Sequence, residues 1–461
     1  MPWADIDRDG NGRMKPVAWK QLALVLALAL LVRVAAASYW QSRLHGQFGM
    51  PDSESYWTLA QTIAAGEPYA FGPDGVYRVF RTPGYPLLLA PILAVSSGTT
   101  AVMLARIEAA LLGTVAVAGV WWLGRQLFDQ RAALLAAVFA AFYPGAIALS
   151  VMILSEAPFC ALLPMQLALW IAASKAESPR RAGLLAILAG VVAGLATLMR
   201  PSWLLFAPFA VVVSVLVGVP SPKGRMRLRH LAIGATMIVG LAAAMTPWWI
   251  RNACVTGQFV PTTLQVGASL YDGLNPEATG ASDMDFVPRF VEDERRQMAA
   301  EARDRSGDLP SPADGRSETA SYGDSLEVRL DRRLRSESIG WARSHPGEAL
   351  RLAAVKFARI WNIWPNEAQF SAPLIRLGVL VTYVPLLALG IYGAARTIRR
   401  SWPYILCWLP AVYITALHVI FVSSIRYREP AMLGLLVLAA GAAAGRKKGE
   451  GGGRRAEGHD L

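Results

Sequence analysis

Residues 20–56 read KQLALVLALALLVRVAAASYWQSRLHGQFGMPDSESY: an apolar run over residues 20–39, then the acidic segment Pro51-Asp52-Ser53-Glu54-Ser55-Tyr56. Crossing the hydrocarbon core of a bilayer as helix takes about 20 apolar residues. The stretch therefore reads as a spanning helix that delivers two carboxylates to a membrane surface. Arg81-Thr82-Pro83-Gly84-Tyr85-Pro86 follows soon after. Carboxylates and a cation at a surface suit chemistry on a lipid-borne substrate better than ion conduction.

The rest of the chain agrees with a membrane setting. The 461 residues are 54% hydrophobic and 17% charged, with a mean hydropathy of +0.36. That leaves too little polar surface to cover a soluble globule of this size. Apolar runs recur near residues 20–39, 101–123, 132–152, 157–174, 182–199, 202–220, 231–250, 372–394, 403–422 and 430–445. The expected fold class is an all-α polytopic membrane protein with about ten transmembrane helices. A membrane barrel would instead show alternation, and none is present.

Charge sets the orientation. Arg8, Arg13, Lys15 and Lys20 precede the first run, and Arg125 with Arg131, Lys175 with Arg180 and Arg181, Lys223 through Arg229, Arg396 with Arg399 and Arg400, and Arg446 through Lys448 fall in every second connection. The positive-inside rule puts these in the cytoplasm together with both termini, as expected for a plasma-membrane protein of bacterial inner-membrane type. The net charge of +12 is largely this signal. It is not the basic stripe with exposed aromatics that marks a nucleic-acid partner.

The resulting organisation is a cytoplasmic tail at 1–19, a membrane module at 20–250 containing the first outer connection 40–100, a long outer connection at 251–371, membrane helices at 372–445 and a basic tail at 446–461. Tyr85–Val95 is short and interrupted by proline, and reads as an interfacial or re-entrant piece. Ser325–Arg343 and Glu348–Trp364 have amphipathic helical spacing, the second as a helix lying in the headgroup layer, and residues 304–323 read as a tether.

Several motif-like stretches carry no function. Asp5-Ile6-Asp7-Arg8-Asp9-Gly10 begins like a calcium loop, but Pro16 stands where a bidentate Glu is required. Ala35-Ala36-Ala37 resembles a signal-peptidase site, yet the chain runs on into the acidic segment, as in an uncleaved anchor. Cys160, Cys254 and Cys407 are scattered, and the histidines lack metal-ligand spacing. Gly449–Gly453 is not a phosphate-binding loop.

What remains is a set of ionisable residues near the outer ends of the spans: Asp52, Glu54, Arg81, Glu156, Arg200, Arg251, Arg426 and Arg428. Charges kept at such depths line a pathway or a site. Each also has a purely structural account. Asp52 can cap a helix over Ser53–Ala65, Glu156 can begin the fourth span, and Arg200 and Arg251 can be anchors beside Trp203 and Trp249. Arg33, Arg106 and Glu108 lie within apolar stretches near the same side. A secondary transporter or lipid flippase using these charges as gates, and an inactive enzyme-like partner, stand as alternatives to an enzyme.

The order of the motifs resembles the family 39-like integral-membrane glycosyltransferases of GT-C fold, which include dolichyl-phosphate-mannose protein mannosyltransferases and bacterial aminoarabinose transferases. The matching residues are Asp52-x-x-x-Tyr56 with Leu59-Ala60 and Gly66, Arg81-x-Pro83-x-Tyr85-Pro86, Ser155-Glu156 and Pro247-Trp248-Trp249-Ile250-Arg251-Asn252. Gly257-Gln258-Phe259-Val260, His345-Pro346 and Ser424-Ile425-Arg426-Tyr427-Arg428 extend the resemblance over about residues 20–445. It implies a hexosyl or pentosyl transferase taking its sugar from a polyprenyl-phosphate donor in the membrane lipid, with inversion, for an acceptor it does not identify. Asp52 would be the general base, with Glu54 and Glu156 as further catalytic carboxylates. Tyr56, Arg81, Tyr85, Arg200, Arg251, Arg426 and Arg428 would bind substrate, the arginines through the donor phosphate. Many relatives have adjacent Asp-Glu where Ser53 intervenes here, which leaves metal dependence open: a divalent cation is the one cofactor candidate.

The charge asymmetry makes a direct prediction. In a cysteine-free background, a single cysteine at Glu54 should react with an impermeant reagent added outside, whereas one at Arg225 should react only after permeabilisation. Strong outside labelling at residue 225 would invert the topology.

Overall fold

In lipid, backbone N–H and C=O groups must be satisfied within the segment that carries them, which favours helix throughout. The computed structural model describes residues 16–216, 225–307, 325–364, 372–398 and 401–445. Most of the expected tether at 304–323 lies outside these residues, as do Arg8, Arg13, Lys15, Lys223, Arg399, Arg400 and Arg446–Lys448. In chain order the helices are α1 Pro16–Arg43, α2 Pro51–Ala65, α3 Gly84–Val95, α4 Gly98–Leu127, α5 Gln130–Phe142, α6 Pro144–Leu149, α7 Glu156–Lys175, α8 Pro179–Met199 and α9 Phe206–Leu216. They continue with α10 Arg225–Thr256, α11 Val266–Gly273, α12 Val287–Gly307, α13 Leu326–Ser344, α14 Pro346–Ile360, α15 Pro373–Thr397, α16 Trp402–His418 and α17 Ile425–Ala443. Among the described residues there is no strand beyond an isolated bridge between Phe71 and Tyr77.

Among the described residues six helices are long and apolar enough to cross a membrane: α1, α4, α7, α8, α10 and α15. The expected runs at 202–220, 403–422 and 430–445 correspond to α9, α16 and α17. The run at 132–152 is not one helix, which corrects the sequence expectation. Pro144 lacks an N–H and disfavours helical backbone at its predecessor, so Tyr143 turns to φ −70°, ψ 118°. The carbonyls released at this break are taken by Arg33, which donates to Ala140 O at 3.0 Å, Ala141 O at 2.9 Å and Ser150 Oγ at 3.0 Å. Arg106 does the same for Val151 O at 2.8 Å. These two buried arginines are thus structural. α3, at 12 residues, is about 18 Å long and too short to cross a hydrocarbon core of about 30 Å.

The main core joins α1, α4, α5, α7, α8, α10 and α15 to α17, and a second, smaller core sits around Ala268, Phe286, Leu330 and Leu334 of α11 to α13. Ser325 caps α13, accepting from Val328 N at 3.4 Å. α14 stops at Ile360, short of the expected Trp364, and Lys356 is buried rather than on a polar face.

α8 and α10 pack closely through Gly190 and Gly194 at small-xxx-small spacing. A Cβ on Gly190 would stand 2.0 Å from Met237 O, and one on Gly194 would stand 2.6 Å from Ala244 Cβ. Both obstacles belong to α10, so the helices must part. Gly190→Leu should therefore lower stability by about 1–3 kcal/mol, read as an earlier melt of the detergent-solubilised protein. An unchanged melt would show that the two helices do not touch here.

Candidate functional site

Proline is disfavoured in a helix interior, but at the first position it is pre-organised for helix, and Pro51 starts α2 with Met50 as N-cap. Asp52 therefore lies inside the first turn and makes no cap bond, correcting the expectation that it caps a helix beginning at Ser53. Its carboxylate is bound by two guanidinium groups. Arg81 Nη2 donates to Oδ1 at 2.8 Å, and Arg426 Nη2 donates to Oδ2. Arg426 comes from the first turn of α17 and also approaches Glu156 Oε1, Nε to O 3.7 Å. Glu156 begins α7, and its Oε1 lies 2.6 Å from Nη1 of Arg200 at the C-cap of α8.

The cluster joins five of the expected residues: Asp52, Arg81, Glu156, Arg200 and Arg426. Carboxylates are favoured at helix N-termini and cations at C-termini. Asp52, Glu156 and Arg200 obey that preference, whereas Arg426 at the start of α17 opposes it. The two carboxylates offset that cost. Three guanidinium groups against two carboxylates leave one positive charge in excess. The Asp52 side chain is 31% exposed and that of Glu156 only 2%, so Asp52 is the carboxylate a substrate can reach.

Aromatic rings frame the charges. Tyr56 donates from its hydroxyl to Ser155 Oγ at 3.2 Å and packs edge-on against Tyr85, ring centroids 5.3 Å apart. Arg81 lies over the Tyr56 ring, and Arg200 and Arg426 approach that of Tyr427, which stacks on His418 at 4.2 Å. Sequence reasoning assigned no role to Ser55 or Gln265, which accept from Arg81 at 3.1 and 3.3 Å, nor to His418.

Three expected site residues lie elsewhere. Glu54 is exposed on α2, away from the pairing groups. Arg251 donates to Arg78 O at 2.7 Å and Tyr69 O at 3.0 Å and lies over the rings of Tyr69 and Trp248. Arg428 donates to Ile360 O at 3.0 Å and to Asn362 O, lies over Tyr383 and pairs with Glu429. Both satisfy carbonyls where the chain leaves regular structure, and neither touches the cluster's carboxylates. Arg251 nevertheless helps to place Arg81, together with Glu327, whose carboxylate accepts from Arg78 N at 3.0 Å and Val79 N at 3.1 Å. Burial pushes the Glu327 carboxyl up to about 7.

The donor set does not fit a divalent cation: both carboxylates are engaged by guanidinium groups, and Arg426 bridges them. Among the described residues, no group of three or more His, Cys, Asp and Glu side chains is placed to hold a metal.

The family described as dolichyl-phosphate-mannose-protein mannosyltransferase matches residues 81–250. Among solved structures, the archaeal oligosaccharyltransferase AglB of Archaeoglobus fulgidus, in complex with an inhibitory peptide and a dolichol-phosphate, superposes with a TM-score of 0.56 at 16% identity, over 92% of this chain and 50% of that one. The fold is GT-C-like. The apo form of the Archaeoglobus fulgidus oligosaccharyltransferase shares this GT-C-like fold at a TM-score of 0.54 and 17% identity, over 91% of this chain and 50% of that one. The chain thus spans about half the length of these structures. ArnT of Cupriavidus metallidurans bound to undecaprenyl phosphate has a TM-score of 0.43 at 16% identity, over 93% of this chain and 79% of that chain. No curated protein matches the chain.

Burial would raise the Asp52 carboxyl, but the charges of Arg426 and Arg81 and their hydrogen bonds outweigh it and hold the group well below the ordinary carboxylate range. A depressed carboxyl contributes stability that is fully present above its unfolded value and is lost as pH falls towards the folded one. The melting difference between parent and Asp52→Asn should hold from about pH 8 to about pH 5 and shrink below about pH 4. A difference independent of pH down to about pH 2 would show that the carboxylate charge contributes nothing.

Proposed function

We propose that the chain is a membrane glycosyltransferase that moves a hexosyl or pentosyl group from a polyprenyl-phosphate donor to an acceptor at the extracytoplasmic face, with inversion at the anomeric carbon. The observation that carries this reading is the partly exposed Asp52 carboxylate held between Arg81 and Arg426 in a cluster with one surplus positive charge. The GT-C-like fold, the family match over residues 81–250 and the dolichol-phosphate on AglB support it.

The residues suggest a division of labour. The leaving group is a lipid phosphate, already a good one, so it needs cations more than a strong general acid. Arg81 and Arg426 present planar forks suited to phosphate oxygens. Asp52 accepts the acceptor's proton as the nucleophile bonds to the anomeric carbon and the sugar–phosphate bond breaks. Paired to both arginines it is a weak base. A donor phosphate that draws on the same guanidinium groups loosens that pairing and raises the basicity of Asp52 as the site fills. Glu156, buried on Arg200, fixes Arg426 from behind.

The test uses purified protein with polyprenyl-phosphate sugars, the native donor being identified by mass spectrometry of lipid-linked sugars in cells with and without the protein. Asp52→Asn should cut transfer by roughly two orders of magnitude or more. Arg426→Ala should weaken donor use, and Arg426→Lys should restore only part of it, because Lys lacks the fork. Near-parental transfer by Asp52→Asn would remove Asp52 as base.

A further inference from the structure

Arg426 stands in the first turn of α17, just after a short turn that joins α16 to α17, and that turn is held by α11 and α14. Lys356 of α14 is fully buried, and its Nζ donates to Ile420 O at 2.7 Å and to Gly273 O at 2.8 Å. Ser423 closes the same knot. Its Oγ donates to Lys356 O at 2.8 Å, and its N–H donates to Gly280 O at 3.1 Å. Gly280 has φ +86°, a left-handed conformation in which a side chain is strained. A Cβ on Gly273 would stand 2.9 Å from the backbone of Phe421, so α11 and the turn are in direct contact.

A buried ammonium is expensive and persists where its donors are used. Here the nearby carboxylate is Asp272, itself bound by Ser282 Oγ at 2.7 Å and Asp283 N at 2.8 Å. Lys356 thus spends its charge on two carbonyls from separate segments, which a methionine of similar length cannot join. Downstream, Arg428 ties the start of α17 to the end of the same helix through Ile360 O and Asn362 O. Arg426 stands between these two ties.

We propose that Lys356 is a positioning residue for Arg426: by pinning the 420–423 turn to α11 and α14, it sets the reach of Arg426 to Asp52 and Glu156. The catalytic consequence rests on the transferase reading above, whereas the geometric one does not.

Two measurements separate them. In a cysteine-free background, spin labels at Glu54→Cys and Ile420→Cys, both exposed, report the distance from α2 to the turn. A narrow distribution in the parent should broaden or shift with Lys356→Met, and an unchanged distribution overturns the proposal. In the transfer assay Lys356→Met should cost about tenfold in kcat/KM yet add no further loss in an Arg426→Ala background. Additive losses would mean that Lys356 does not act through Arg426 and would also overturn it. Should Lys356→Met fail to fold, Ser423→Ala, which removes one bond of the knot, takes its place in both measurements with the same criteria. If the parent transfers no sugar, the transferase reading falls, and the distance measurement alone decides.

Discussion

A carboxylate held by two guanidinium groups from distant parts of the chain is the constraint on which the arrangement depends. Asp52 comes from α2, Arg81 from the connection after it and Arg426 from α17, 374 residues further on. None of these charges is cheap to leave unpaired beside an apolar bundle. The bundle must therefore bring the first and last thirds of the chain together at one end. Glu156 and Arg200 complete the demand from the antiparallel pair α7 and α8, whose facing ends they occupy. Apart from Arg81, the charges of the site sit at helix termini rather than in loops, and that favours precise placement of charge.

The fold class was legible because bilayer thickness writes itself into the length of apolar runs, and the candidate charges because a membrane setting makes them stand out. Their partners were not legible. Arg81 and Arg426 look no different in sequence from Arg251 and Arg428, yet the first two bind carboxylates and the others bind backbone carbonyls. Which fate an arginine meets depends on which segment breaks helix beside it, a tertiary fact. The expectation of one span over 132–152 overlooked Pro144, which breaks the helix at Tyr143, and nothing in the sequence pointed to Arg33 as the supplier of the missing donors. For Asp52 the difference is one of register: the helix opens at Pro51 rather than Ser53, which frees the carboxylate from capping and leaves it for the arginines.

The long connection between α10 and α15 gave the weakest signal in the sequence, and its physical contribution is to hold both arginines. On one side Glu327, with Arg251 near the end of α10, fastens residues 78–79 just ahead of Arg81, and Leu264 N donates to Val79 O at 3.0 Å. On the other, Lys356 and Ser423 fasten the turn ahead of Arg426. The membrane helices supply Glu156 and Arg200, but the two groups that bind Asp52 are each aimed by polar contacts to this connection. Apolar packing is nondirectional and cannot by itself aim a guanidinium to within a few tenths of an ångström. Hydrogen bonds to fixed carbonyls and N–H groups can, and they appear here at the two points where the bundle alone would leave the arginine free to swing.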